Sequence, residues 1–148
     1  MQFVSASSGW AAGEHSTVVG TRDGGGTWSL VHPPGGPARR VFMALHFVDE
    51  QQGWLCHNHG GLVDTRDGGR TWSVEGRWPG TSVRAIWFGD AQSGWCAEVG
   101  GVYATEDGGR SWVRELESGG DPVVAVVFAD QSQGWVLTFS GDVYGRND

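Results

Sequence analysis

Thr21-Arg22-Asp23-Gly24-Gly25-Gly26-Thr27-Trp28 returns as Thr65-Arg66-Asp67-Gly68-Gly69-Arg70-Thr71-Trp72 and again as Thr105-Glu106-Asp107-Gly108-Gly109-Arg110-Ser111-Trp112. Each copy reads as a tight turn between two antiparallel strands. The carboxylates of Asp23, Asp67 and Asp107 are placed to accept backbone N–H groups, as in Asx-type turns. The glycine pairs Gly24-Gly25, Gly68-Gly69 and Gly108-Gly109 supply backbone conformations that other residues avoid. The hydroxyls of Thr27, Thr71 and Ser111 tie back to the loop. Trp28, Trp72 and Trp112 then open the outgoing strand and bury large rings.

A second landmark travels with the first. Phe3, Phe47, Phe88 and Phe128 are each followed by a Gly-Trp pair, with the Trp seven residues on, at Trp10, Trp54, Trp95 and Trp135. The Trp-to-Trp steps are 44, 41 and 40 residues, so the unit is about 40 residues long. Within one unit, Val83–Phe88 is a short apolar run rich in strand formers and reads as the innermost strand, with Val41–Phe47 and Val123–Phe128 as its counterparts. Trp95–Val99, Val102–Thr105 and Ser111–Leu116 read as the second, third and fourth strands. Four short antiparallel strands per unit is the pattern of a β-propeller blade. The expected fold is all-β: three four-stranded blades and a three-stranded fourth, fifteen strands, at about 1–34, 38–78, 81–119 and 121–148. Asp148 falls on the turn aspartate of the fourth unit. A blade with an open side exposes apolar surface and associates, so either four blades close alone, two or more chains share a ring, or the chain is a fragment of a longer propeller; two copies sharing an eight-bladed ring is the first expectation.

Composition narrows the chemistry. The chain has 26 glycines, nine tryptophans and a formal net charge of −7; all ten basic residues are arginines. With no lysine, Schiff-base chemistry and a phosphate-loop lysine are excluded. The acidic balance disfavours nucleic acid, which is bound through basic patches; the one basic pair, Arg39-Arg40, reads as a solvated loop. Cys56 and Cys96 do not form a CxxC pair, and reduced thiols are expected. No apolar run approaches the roughly 18 residues that span a bilayer, so no membrane insertion is expected. The N-terminus lacks the charged start and apolar stretch of a signal peptide. That fits a cytoplasmic protein if the chain is complete, and a piece excised from a longer, exported protein reads the same.

The Thr-x-Asp-Gly-Gly-x-Thr-Trp turn resembles the Asp-box (bacterial neuraminidase repeat) of sialidases and related propellers. Joined to the strand-ending Phe and the Gly-Trp, it more closely resembles the photosystem II stability/assembly factor family. The resemblance covers nearly the whole chain, at about half the length of a full member. It implies a multi-bladed propeller that assists membrane-complex assembly by binding protein. For sialidases it implies Asp-boxes on the outer rim, away from a centre built from three arginines, a Tyr/Glu pair and an Asp acid. Here Tyr103 and Tyr144 occupy equivalent repeat positions, as packing residues do, and no Arg-Ile-Pro opening is present. Glu98, Asp90 and Asp130 are available carboxylates, but nothing singles them out. No catalytic residue, cofactor or metal is assigned.

Other residues stand apart from the repeat. Asp23, Asp67 and Asp107 each bring one well-placed acid, far from the six or more oxygens Ca²⁺ takes, and Arg22, Arg66, Arg70 and Arg110 beside them argue for internal ion pairing. Cys56-His57-Asn58-His59 places two histidines on one strand face, with His15 and His46 as further candidate ligands; an exposed hairpin tip is the expected reading. Trp87, whose counterparts are His46 and Val127, is expected to pack or to line the central channel. Arg84, with counterparts read as Ala44 and Val124, is a charge on an apolar strand and a candidate grip for carboxylates. Arg84 and Trp87 are therefore the candidate binding residues. The expected function is a non-catalytic scaffold for protein–protein interaction. The alternatives are a glycan-binding or degenerate sialidase-like propeller, and an excised or designed propeller fragment.

Overall fold

The computed structural model describes residues 1–31, 41–58, 60–77 and 83–147. The first inter-unit linker, Arg39-Arg40, His59 and Asp148 lie outside the described residues. Fifteen strands form four antiparallel sheets among the described residues. The first holds β1 (Gln2–Phe3), β2 (Gly9–Ala12), β3 (Val18–Thr21) and β4 (Ser29–Val31). The second holds β5 (Phe42–Phe47), β6 (Gly53–His57), β7 (Gly61–Thr65) and β8 (Ser73–Arg77). The third holds β9 (Val83–Phe88), β10 (Gly94–Glu98), β11 (Gly101–Thr105) and β12 (Val113–Glu117), and the fourth β13 (Val123–Phe128), β14 (Gln133–Thr138) and β15 (Val143–Asn147). Each sheet is a meander of consecutive strands, and β1, β5, β9 and β13 lie side by side along the inner edge. This is the all-β arrangement of propeller blades. No helix among the described residues is long and apolar enough to cross a membrane.

The core lies between sheets. Trp54, Cys56 and Leu62 of the second sheet pack on Val83, Ile86, Phe88 and Cys96 of the third. Trp95, Ala97 and Val102 of the third pack on Val123 and Val136 of the fourth, and Val18 of the first meets Phe42, Leu55 and Val63 of the second. Both cysteines are reduced and buried, and burial pushes the Cys96 thiol up. A central blade is thus covered on both faces, and β6 is buried at every position from Gly53 to His57. That burial excludes the exposed hairpin tip expected for His57, which sits 7% exposed with its ring edge-on to Phe42.

The Gly-Trp landmark has a steric reason. Phe47 pairs with Gly53 and Phe88 with Gly94 across adjacent strands. The Phe ring lies over the glycine, so a Cβ at Gly94 would sit 2.4 Å from the Phe88 ring. The inner strand also carries a β-bulge that re-aims one residue. It falls between Phe42 and Ala44, between the partners of Glu98 and Ala97, and between Val123 and Ala125. Met43, Arg84 and Val124 are the three bulged residues, and all are exposed. The counterpart of Arg84 is therefore Met43; Ala44 occupies the place of Ala85.

Candidate functional site

The three repeated turns close in the same way. Asp67 Oδ1 accepts the Thr71 backbone N–H at 2.8 Å and the Thr65 hydroxyl at 2.9 Å, while Oδ2 accepts the Thr71 hydroxyl at 2.6 Å. Thr65 Oγ1 in turn accepts the Gly69 N–H at 2.8 Å. Asp23 repeats this with Thr27 and Thr21, and Asp107 with Ser111 and Thr105. Gly68, at φ 71°, donates to the Gln51 carbonyl and leaves 2.6 Å between a notional Cβ and the Glu50 carbonyl. A side chain is excluded there by both backbone conformation and space. Each tryptophan sits one residue before the outer strand, not within it, and the Trp72 and Trp112 indoles donate back to Gly69 and Gly109 at 3.0 and 3.1 Å.

These bonds stabilise the charged carboxylate and pull each acid from 3.8 to about 2. For Asp23 the Thr27 backbone N–H is the largest cause, and for Asp67 the Thr71 hydroxyl is. For Asp107 burial pushes upward, and the bonds from Ser111 and Thr105 together outweigh it. An acid already accepting this many donors has little capacity left for a cation or a proton transfer. Two of the neighbouring arginines engage groups other than the turn carboxylates. Arg22 donates to the Gly68 carbonyl at 3.2 Å and covers the Trp10 ring, and Arg66 pairs with Asp64 at 3.4 Å.

The Gly-Trp indoles join blades. Trp10 stacks on Phe47 of the next sheet, ring centroids 3.8 Å apart, and its Nε1–H donates to the Gly68 carbonyl at 3.3 Å. Trp54 does the same with Phe88 and Gly108. Trp95 stacks on Phe128, while its indole donates to Glu115 at 2.9 Å. At the first two junctions the residue before the Phe adds a polar tie: the Gln2 amide exchanges two bonds with the Phe47 backbone, and His46 Nε2 lies 2.9 Å from the Phe88 carbonyl. Burial pulls His46 from 6.5 to about 4, so it is neutral near pH 7.

Trp87 takes this position in the third sheet. It stacks on Phe128 at 4.9 Å and leans on Trp95 and His46. Its remaining surface lines a cleft of about 620 Å³ with His46, Gly89, Asp130 and Gln131, where the inner strands end. Arg84 lies at the start of β9 and outside that cleft, so the structure does not bring the two candidate binding residues together. The Asp90 and Asp130 carboxylates also have local work. Asp90 accepts the Gln92 and Ser93 N–H groups, and Asp130 those of Ser132 and Gln133. Asp49 and Ser5 cap the same turn in the preceding units. Sequence reasoning missed this device, although its signal, an Asp two residues after each strand-ending Phe, is visible in three units.

The family profile described as photosynthesis system II assembly factor YCF48 matches residues 1–120. The chain belongs to the YCF48 family. Comparison with curated proteins finds no match. Among solved structures, the fold is similar to "YCF48 bound to D1 peptide", with TM-score 0.69 and 21% identity over 97% of this chain and 62% of that one. It is also similar to YCF48 from Cyanidioschyzon merolae, with TM-score 0.71 and 20% identity over 90% of this chain and 45% of that one. An ancestral GH74 enzyme gives TM-score 0.73 and 18% identity over 99% of this chain and 22% of that one. The chain thus spans only part of each of these proteins, and at such identities the likeness is one of fold.

Within this YCF48-family fold, the described residues contain no cluster of three or more His, Cys, Asp or Glu side chains arranged to hold a metal. Tyr103 donates to Glu98 at 3.0 Å, with Arg114 over its ring. Burial and the adjacent Glu98 carboxylate push the phenol up, opposite to what a nucleophilic phenolate needs.

Proposed function

We propose that this chain is a non-catalytic propeller scaffold that binds protein during assembly, completing its ring by self-association, two copies first. Its family supports the protein-binding role. The observation that carries the reading is the bulged row Met43, Arg84 and Val124, three exposed side chains at one register position of neighbouring inner strands. Two apolar side chains flank a guanidinium there, a combination that suits a peptide with apolar groups and a carboxylate. A related structure carries a D1 peptide, so a labelled D1 peptide is the first probe. Saturable binding by titration calorimetry, weakened at least tenfold by Arg84→Glu with unchanged thermal stability, is expected. Absence of binding to the intact chain, or equal binding by the variant, contradicts the reading. The rival, a glycan-binding or degenerate glycosidase propeller, draws on the GH74 likeness; hydrolysis of a fluorogenic sialoside above a buffer blank would favour it.

A further inference from the structure

The two end faces of the four-sheet array are the two halves of the interface that repeats inside it. At each internal junction a Gly-Trp indole stacks on the strand-ending Phe of the next sheet. At the first two, the indole also donates to the first glycine carbonyl of the next Asp-Gly-Gly turn. The fourth sheet presents the indole half without its seat. Trp135 is 42% exposed where Trp95 is 4% exposed, and Leu137 and Val143 are 39% and 64% exposed where Ala97 and Val102 are 0% and 3%. The strand β14 alternates exposed and buried along its length, the pattern of a strand covered on one face, whereas β10 is buried at four of its five positions.

The first sheet presents the seat without its indole. Phe3 is 40% exposed, whereas Phe47 and Phe88 are 1% exposed. Phe3 keeps the edge-on contact with Trp28 at 6.0 Å that Phe47 makes with Trp72 and Phe88 with Trp112. Gly24 is the first glycine of its turn, equivalent to Gly68 and Gly108, whose carbonyls receive the indoles. Among the described residues, neighbouring sheets contact each other from the first to the fourth, and no strand of the first sheet makes an extensive contact with a strand of the fourth.

We propose that a second copy of this chain closes this gap head to tail, its Phe3 and Gly24 receiving Trp135, with the converse contact made at the other end. This deepens the self-association in the proposed function by naming the surfaces and their polarity. The contact is heterologous, and two copies close it into a ring through two equal junctions.

The test replaces Trp135 with the photocrosslinking residue p-benzoylphenylalanine in the full chain, mixed with isotopically labelled unmodified copies. The proposal expects linkage to residues 1–31 of the labelled copy, lost when that copy carries Phe3→Asp. Linkage to residues 1–31 of the same chain would overturn it in favour of self-closure. Linkage between copies at any other segment would overturn the head-to-tail polarity while leaving self-association standing. No linkage would overturn the named surfaces, and sedimentation of the unmodified chain would then decide self-association separately. As a control on folding, Phe3→Asp and Trp135→Asp are mixed after separate purification. Recovery of association by the mixture, each variant retaining one intact half, is expected; failure of two folded variants to associate contradicts the proposal.

Discussion

The Trp54 indole lies flat on the Phe88 ring, centroids 3.7 Å apart and planes 1° from parallel, while its Nε1–H donates to the Gly108 carbonyl at 3.1 Å. One side chain thereby fixes both the distance between two blades and their height relative to each other. Stacking sets the first, because the ring fills the space between sheets. The directional bond to the next turn sets the second.

The two contributions separate by mutation. Trp54→Phe keeps a ring on Phe88 and loses the donor, which costs about 1 kcal/mol. Trp54→Ala removes both and costs about 3–5 kcal/mol. Urea denaturation of the two variants checks this, and equal losses would contradict a two-part junction.

Gly94 is required by the ring above it. A Cβ there would lie 2.4 Å from Phe88 Cδ1, so Gly94→Ala is expected to destabilise by about 1–3 kcal/mol as overpacking does. The double variant Gly94→Ala with Phe88→Leu should recover part of that loss. A neutral single variant would show that the ring moves aside freely.

Acid should loosen the turns. The folded-state pKa of Asp23, Asp67 and Asp107 is depressed from 3.8 to about 2. Their contribution is therefore complete above pH 3.8 and is lost as pH falls toward 2. The melting temperature should drop in that window. Asp67→Asn with Asp107→Asn should melt lower at pH 6 and show a shallower drop between pH 4 and pH 2. A parallel profile would mean that these carboxylates do not supply the acid sensitivity.

Much of this architecture was legible because the repeat exposes its own grammar. Asp23, Asp67 and Asp107 with their glycines place three turns, and the Phe and Gly-Trp landmarks place the strands between them. The junctions were not legible, since Trp10 reaches Gly68 across 58 residues and local periodicity carries no sign of such a contact. Arg84 stands out in the sequence as a charge on an apolar strand, but the bulge that exposes it with Met43 and Val124 depends on strand pairing. His57 falls where the third unit has Glu98, at a hairpin tip of the repeat, yet packing against Phe42 buries it.

His46 gives a second pH signature. Its folded pKa is depressed by burial from 6.5 to about 4, against the opposing bond to the Phe88 carbonyl. The unfolded chain binds the proton first, so stability is complete above pH 6.5 and falls as pH drops toward 4, by about 3 kcal/mol. His46→Gln, which copies the amide that Gln2 uses at the preceding junction, should fold and flatten denaturation midpoints across pH 6.5–4. An unchanged slope would place the pH dependence elsewhere.

The exposed Trp135 of the fourth sheet and the exposed Phe3 of the first call for pairing between copies. Absolute mass in solution, by light scattering over a range of concentrations, tests it most directly. Twice the chain mass of 15.9 kDa, falling to the single chain for Trp135→Asp, is the predicted result. A 15.9 kDa particle at every concentration would contradict it.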